Sequence, residues 1–138
     1  MTKRSFGWLR TVGAVLLLVA VSGCSYIRDI PTLLEATQFF GYLTEMNAIP
    51  GITLGKGDSF SIHVDPLGSA GTYPVAVRAI VTQAKTDLKY SYRMEKAKRG
   101  APWVLVRGWS KDANGQQIWL ALPSADAQAK ANEQIGKQ

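Results

Sequence analysis

The sequence predicts an α+β fold, with one N-terminal amphipathic helix packed on a four- to five-stranded antiparallel meander sheet. Apolar residues recur at helical spacing within 32–47, whereas from Gly55 onward apolar and polar residues alternate in short runs between turn residues. The connections between these runs are short enough for hairpins and contain no crossover helix. We therefore expect the strands to be antiparallel.

The predicted helix covers residues 32–47. Thr32 is a candidate N-cap, and Glu35 follows three residues later, which is the capping-box pattern. Asn47 and the Pro50-Gly51 pair predict where the helix ends. An aromatic cluster is typical of the side that packs on a sheet, with a membrane or partner surface as the alternative. It consists of Phe39, Phe40 and Tyr42.

Five segments after the helix have the alternation or apolar character of strands. Residues 75–82 are apolar on both sides apart from Arg78, as in a central strand. The Gly-, Ser- and Pro-rich stretch from Pro66 to Pro74 is the longest loop, and Asn114-Gly115 marks a later turn. The predicted strands are 59–65, 75–82, 88–96, 103–109 and 117–122.

The N-terminal 23 residues have the features of a secretory signal peptide, namely a basic start, an apolar run at 12–21 and small residues before a cleavage site. The apolar run is too short to cross a bilayer, which takes about 20 residues. Residues 21–24, with the sequence VSGC, resemble the lipobox of bacterial lipoproteins. This resemblance implies cleavage between Gly23 and Cys24 and attachment of diacylglyceryl and acyl groups, such as palmitate, to Cys24. Ser25, in place of Asp, favours the periplasmic side of the outer membrane if the source is Gram-negative.

The predicted organisation is a cleaved signal peptide (1–23), a lipidated tether (24–31), a single α+β domain (32–123) and a polar C-terminal tail (124–138). Cleavage would leave 13 basic against 10 acidic residues, a formal charge of +3, and would commit the single cysteine to lipid. Disulfides and thiolate chemistry are then excluded. The tail is rich in Ala, Gln and Lys, which predicts a frayed helix or disorder that buries little surface.

The order of helix and meander, together with the segment KYSYRMEKAKRGAPWVLVRGW (89–109), resembles cystatin-like and nuclear-transport-factor-2-like domains over residues 32–110. Both folds wrap a curved antiparallel sheet around a helix. Because this chain has room for one helix before the sheet, the resemblance favours the cystatin-like arrangement. It implies a lipoprotein of unassigned role, and no functional residue of either family matches a position here.

Residues suited to catalysis are sparse. His63 is the single histidine, and Asp58 and Asp65 are its nearest acidic neighbours in the sequence. A solvated strand edge is the simpler interpretation of this group, since a nucleophile–base pair, a zinc site or a paired-carboxylate site each requires partners that the sequence does not place together. The sequence therefore predicts a protein that is not an enzyme and binds no metal or cofactor.

A basic and aromatic stretch is the best candidate for binding. Residues 85–112 contain eight Lys or Arg against three acidic residues, a pattern that suits either an anionic surface or a solubility role. Trp103 and Trp109 are predicted to share one strand face, as a partner surface or as core. The candidate binding surface consists of Tyr92, Arg93, Lys96, Lys98, Arg99, Trp103 and Trp109.

These features predict a lipid-anchored cell-envelope protein that acts as a non-catalytic binding or assembly module. Its expected partners are the membrane, through Cys24, and an acidic envelope protein or an anionic lipid surface, but not nucleic acid. An inhibitor or immunity-type lipoprotein that blocks a secreted enzyme is the alternative, and a small hydrolase is the third candidate.

Overall fold

The computed structural model describes residues 30–86 and 88–137. The predicted signal peptide, Cys24 and nearly all of the tether lie outside the described residues. The described elements are α1 (Ile30–Glu45), β1 (Ser59–Val64), β2 (Val75–Thr82), β3 (Lys89–Lys96), β4 (Val104–Lys111), β5 (Gln117–Trp119) and α2 (Ala125–Gly136).

The strands form one antiparallel sheet in which each strand pairs with its neighbour in the sequence, in the order β1-β2-β3-β4-β5. This confirms the predicted α+β class and the antiparallel sheet. Hairpin connections suffice for such a sheet because consecutive strands run in opposite directions. Neither helix in the described residues has both the length and the apolar character that crossing a bilayer requires.

One face of α1 lies against the sheet. Its buried residues Leu33, Ala36, Phe40 and Leu43 recur three or four positions apart, which places them on a single stripe of the helix. The ring of Phe40 meets the ring of Phe60 on β1 at a centroid distance of 4.9 Å. We call the side of the sheet that α1 covers the helix face, and the opposite side the open face.

The end of α1 is set by Asn47. This residue has a φ of 53°, in the left-handed region that Asn tolerates better than most residues. The Ala48 N–H then donates to the carbonyl of Leu43 at 2.9 Å, which satisfies a carbonyl that the helix leaves without a partner. The helix therefore ends at Glu45, two residues before the predicted end.

The helix face of the sheet is apolar and closely packed around Tyr92. Tyr92 lies opposite Ala79 on one side and Gly108 on the other. A Cβ added at Gly108 would stand 2.6 Å from a carbon of the Tyr92 ring, which is below any normal contact distance. Only glycine at position 108 therefore leaves room for the aromatic ring.

A β-bulge divides β4 into two parts. The register between β3 and β4 shifts next to Arg93, so that Val106 is an extra residue on β4. One extra residue reverses the face on which all later side chains lie. Trp103 is consequently buried on the helix face, whereas Trp109 lies on the open face. The prediction that these two tryptophans share a face is wrong, because it assumed regular alternation of side chains from 103 to 109, without a bulge.

The polar segment after Pro123 folds as α2. Ser124 caps the helix, and its hydroxyl accepts a hydrogen bond from the Ala127 N–H at 3.1 Å. Ala131 is fully buried, and Ala127 and Ile135 pack against the same core. The expectation that this segment buries little surface is corrected, because small alanine side chains let the helix approach α1 closely.

Side-chain amides join α2 to the edge of β4. The Asn132 side chain accepts a hydrogen bond from the Trp103 N–H at 2.8 Å and donates one to the Trp103 carbonyl at 2.9 Å. The Gln128 side chain accepts from the Leu105 N–H at 2.9 Å. These amides take the place of a neighbouring strand along a part of β4 that β5 does not reach, so polar residues hold α2 in place.

Candidate functional site

Three arginines stand side by side on the open face. The strand register pairs Arg78 with Arg93 and Arg93 with Arg107, and it places His63 opposite Arg78 at the end of the series. Directly opposed residues on neighbouring strands have Cβ atoms about 4.5–5.5 Å apart. We call Arg78, Arg93 and Arg107 the arginine row.

Two carboxylates neutralise the middle of the row. Arg93 forms ion pairs with Asp65 and with Glu95, each at 2.9 Å. The hydrogen bond to Glu95, with the nearby charge of Asp65, raises the pKa of Arg93 above its usual value. Asp65 also accepts the Leu67 N–H at 2.9 Å, which fixes the loop after β1 beside the row.

The two outer arginines differ from Arg93 in their contacts. Within the described part of the chain, no carboxylate lies within ion-pair distance of Arg78 or Arg107. The Nε atom of Arg78 is buried and has no hydrogen-bond partner there. The guanidinium of Arg107 lies 5.8 Å from the centroid of the Trp119 ring, within the range of a cation–π contact. Together, the three arginines of the row and the carboxylates of Asp65 and Glu95 carry a net charge of +1.

The arginine row forms the floor of a groove with apolar sides. The groove has a volume of about 250 Å³. On its rim, Leu67 is 90% exposed and Trp119 is 62% exposed, so two large apolar side chains face solvent beside the arginine row. The groove is lined by Asp65, Pro66, Leu67, the arginine row, Trp109, Gln117 and Trp119.

His63 and Ser61 form a hydrogen-bonded pair beside the row, with 2.7 Å between the histidine Nε2 and the serine Oγ. Burial, and then the charge of Arg78, lower the pKa of His63. A general base must become imidazolium during the reaction, and a neighbouring carboxylate normally stabilises that form. Arg78 has the opposite effect, and no carboxylate in the described residues hydrogen-bonds to His63. The pair is therefore poorly suited to nucleophilic catalysis.

Asp58 and Asp65, the acidic neighbours of His63 in the sequence, flank β1 at opposite ends. Asp58 accepts hydrogen bonds from the N–H groups of Gly55 at 2.7 Å and Ala84 at 2.9 Å, which lower its pKa and join two loops. Six strand residues, about 20 Å, separate it from Asp65. In the described residues, no group of three or more His, Cys, Asp or Glu side chains is placed to hold a metal ion.

The structure separates the seven residues of the predicted binding surface. Arg93 and Trp109 line the groove, and Lys98 and Arg99 lie exposed in the turn between β3 and β4. Tyr92, Lys96 and Trp103 are instead buried on the helix face. These last three are not available to a partner, because Tyr92 and Lys96 alternate inward along β3 and Trp103 lies on the same face as the buried Leu105.

Two of the buried residues hold α1 to the sheet. Lys96 forms an ion pair with Glu35 of α1, and the Trp103 indole N–H donates to the same carboxylate oxygen at 2.8 Å. The Lys96 ammonium also lies 5.8 Å from the centroid of the Trp103 ring. Their charge and aromatic character therefore serve the packing of α1 rather than an exposed surface.

Sequence reasoning omitted Arg78, Arg107 and Trp119 from the candidate surface. Arg78 is the one charged residue in the otherwise apolar β2, and this was the available signal for a special role. Its alignment with Arg93 and Arg107 depends on strand register, which a single sequence does not specify at this precision. Comparisons of the chain with protein-family models, curated proteins and solved structures find no match.

Proposed function

We propose that the protein is a lipid-anchored cell-envelope protein whose domain is a non-catalytic binding module, with the open face as the surface that receives an acidic partner. The observation that carries the binding role is the arginine row, exposed beside Leu67 and Trp119 on a sheet face that neither helix covers. Arginine and tryptophan are the residue types most enriched at the energetic centres of protein interfaces.

The composition of the open face supports an interface. An antiparallel sheet with one solvated face normally carries polar residues on that face. Here Val104 and Val106 are exposed on β4, and Trp119 is exposed on β5. Apolar side chains interleaved with cationic ones match a partner that offers both acidic groups and apolar surface.

The anchor rests on the VSGC motif at Cys24. Glu35, in the second turn of α1, contacts Lys96 at the end of β3, so the start of α1 lies near the β3–β4 turn. A short tether would then hold Lys98 and Arg99 of that turn close to the lipid head groups. Each basic residue near an anionic membrane contributes about 1 kcal/mol of attraction. Ser25 favours the outer membrane, facing the periplasm, in a Gram-negative source.

The non-catalytic role is supported by the surroundings of His63. Its neighbour across the sheet is the cationic Arg78, which disfavours the imidazolium form, and its hydrogen-bond partner Ser61 lies on the same strand. Asp58 and Asp65 each accept backbone N–H groups and stabilise loops. The charged residues near β1 therefore have structural tasks that account for their positions.

Site-specific photo-cross-linking in intact cells tests the proposal. A photoreactive residue at Val106 reports on the open face, and one at the exposed Gln134 of α2 is the matched control on the helix side. We expect a defined acidic partner to be captured from position 106 and not from position 134, with capture lost in the Arg107→Glu variant. Equal capture from both positions, or capture that the Arg107→Glu variant does not change, contradicts the proposal.

A further inference from the structure

We propose that the arginine row, with Trp109 and Trp119, is a binding site for a singly charged carboxylate attached to a body with a flat apolar surface. This assignment rests on the proposed binding role of the open face and names the chemistry that the face recognises. The ligand carboxylate lies against the outer guanidinium groups, and its apolar body lies between the tryptophans and Leu67.

The charges of the groove favour an anionic ligand. Like charges directly opposite one another on neighbouring strands destabilise a sheet, and the row has two such pairs. Asp65 and Glu95 both bind Arg93, and among the described residues no carboxylate lies within ion-pair distance of Arg78 or Arg107. An oxyanion that lies over the row on the open face reduces this repulsion. It also supplies an acceptor in the region where the buried Arg78 Nε has none.

The net charge of +1 selects a singly charged ligand. A monoanion neutralises the group, whereas a dianion would leave an excess negative charge beside the Asp65 carboxylate. A guanidinium presents its N–H groups as a planar fork, and a carboxylate accepts two of them at once. Charge and geometry together therefore favour a carboxylate.

The groove also limits the size and shape of the ligand body. Trp109 and Trp119 are directly paired between β4 and β5, and Leu67 rises from the loop on the opposite rim. The volume of about 250 Å³ is slightly below the range of about 300–1,000 Å³ that drug-sized ligands occupy. A single ring or a large side chain with its carboxylate fits such a space, and the aromatic walls favour a flat apolar surface.

A membrane phosphodiester is the competing monoanion, and the position of the groove disfavours it. The tether leads into α1, which packs on the helix face, whereas the groove opens on the other side of the sheet. Lipid head groups would therefore be reached first from the helix side and from the β3–β4 turn. The carboxylate ligand approaches from the solvent side of the anchored domain.

Benzoate and its neutral analogue benzamide test the assignment on the full-length protein in a mild nonionic detergent. Because His63 is the single histidine, its ring signals in NMR spectra report the row without overlap. We expect saturable binding of benzoate, no binding of benzamide, and a rise in the pKa of His63 when benzoate binds, because the carboxylate offsets the charge of Arg78. Indole signals of the tryptophans should shift with the same saturation curve.

Two arginine variants give a matched comparison. Arg107→Gln removes one cation from the groove, and Arg99→Gln makes the same change of residue and charge in the exposed turn. Losing a charge-assisted hydrogen bond should weaken benzoate binding about tenfold or more in Arg107→Gln, with no change in Arg99→Gln. Arg107→Gln should unfold at the same temperature as the unaltered protein or a higher one, because repulsion within the row is relieved. If Arg107→Gln does not fold, Trp119→Ala supplies the same binding test at a largely exposed position.

Several results would overturn the assignment. Equal binding of benzamide, equal weakening in the two arginine variants, or the absence of any benzoate-dependent shift at His63 each exclude a carboxylate site at the row. Stronger binding of short-chain dihexanoyl-phosphatidylglycerol than of benzoate, with dihexanoyl-phosphatidylcholine inactive, would transfer the site to lipid. Capture of an acidic partner from position 106 without benzoate binding would reject this ligand class and leave the proposed function standing. If no partner is captured from position 106 but benzoate still binds, the proposed acidic partner is rejected and the carboxylate site stands.

Discussion

Replacing Asn132 with Ala removes one of the two side-chain amides that link α2 to the edge of β4, and leaves the Gln128 link in place. The side chain of Asn132 satisfies both the N–H and the carbonyl of Trp103, at 2.8 and 2.9 Å, and it also donates to the Gln128 carbonyl at 2.9 Å. Trp103 is only 1% exposed, so water does not readily take over these bonds. The variant therefore leaves two main-chain groups of a buried residue without partners.

The expected cost follows from these two groups. Each unpartnered buried group costs about 1–3 kcal/mol. The higher helix propensity of alanine stabilises the variant by roughly 0.5 kcal/mol. Because the groups lie at a sheet edge that can relax, we take the lower end for each group and expect a net loss of about 1.5 kcal/mol. This is a large fraction of the 5–15 kcal/mol, roughly, by which domains are stable.

Urea denaturation followed by tryptophan fluorescence measures the effect. For a slope of about 2 kcal/mol per molar urea, the unfolding midpoint of Asn132→Ala should fall by about 0.7 M. Gln134→Ala changes an exposed residue of the same helix and should stay within about 0.5 kcal/mol of the unaltered protein. An unchanged midpoint for Asn132→Ala, or an equal loss in both variants, would refute the inference that side-chain amides hold α2 on the sheet.

Three further predictions concern the core, the row and the anchor. Gly108→Ala should lower the free energy of unfolding by about 1–3 kcal/mol, since the new methyl group meets the Tyr92 ring at 2.6 Å; an unchanged urea midpoint would contradict this packing. The folded protein disfavours protonation of His63, so its stability should fall as the pH drops below 6.5, the ordinary pKa that the unfolded chain retains. His63→Gln should lose less stability than the unaltered protein over that pH range, and parallel pH curves would exclude the effect. Cys24→Ala should abolish incorporation of labelled palmitate and processing at this site, and retained labelling would exclude a lipid anchor there.

Local patterns in the sequence were sufficient for the sheet and its core. The alternating residues of 59–65 correspond to β1, because a pleated strand places successive side chains on opposite faces, and the segment 75–82, apolar on both sides apart from Arg78, corresponds to β2. Burial of Phe60, Ile62 and Val77 on one side is the direct result of that alternation. The amphipathic spacing in residues 32–47 likewise corresponds to α1, whose apolar stripe covers the sheet.

Alternation failed where the chain departs from regular pairing. The extra residue Val106 reverses the faces of β4, so Trp103 is buried and Trp109 lies in the groove. Gly108 was a signal of this irregularity, because glycine inside a strand often marks a bulge or a close approach.

The sequence also gave too low an expectation of the surface that the polar segment forming α2 buries. The packing of α2 on the domain depends on hydrogen bonds from Gln128 and Asn132 to a strand edge that is distant in the sequence. The hydrophobicity of the segment gives no indication of such bonds.

Patterns along the chain are sufficient to predict the α+β class, the antiparallel pairing of consecutive strands and the apolar stripe of α1. All three follow from interactions between residues close together in the chain. The tertiary structure alone decided the arginine row, since the alignment of Arg78, Arg93 and Arg107 requires the register of three strands and the bulge between two of them. It also decided that Lys96 and Trp103 support α1 while Arg107 and Trp119 face the groove. The sequence supplies the charges and the aromatic rings, and the side of the sheet on which each one lies is determined by pairing over long distances.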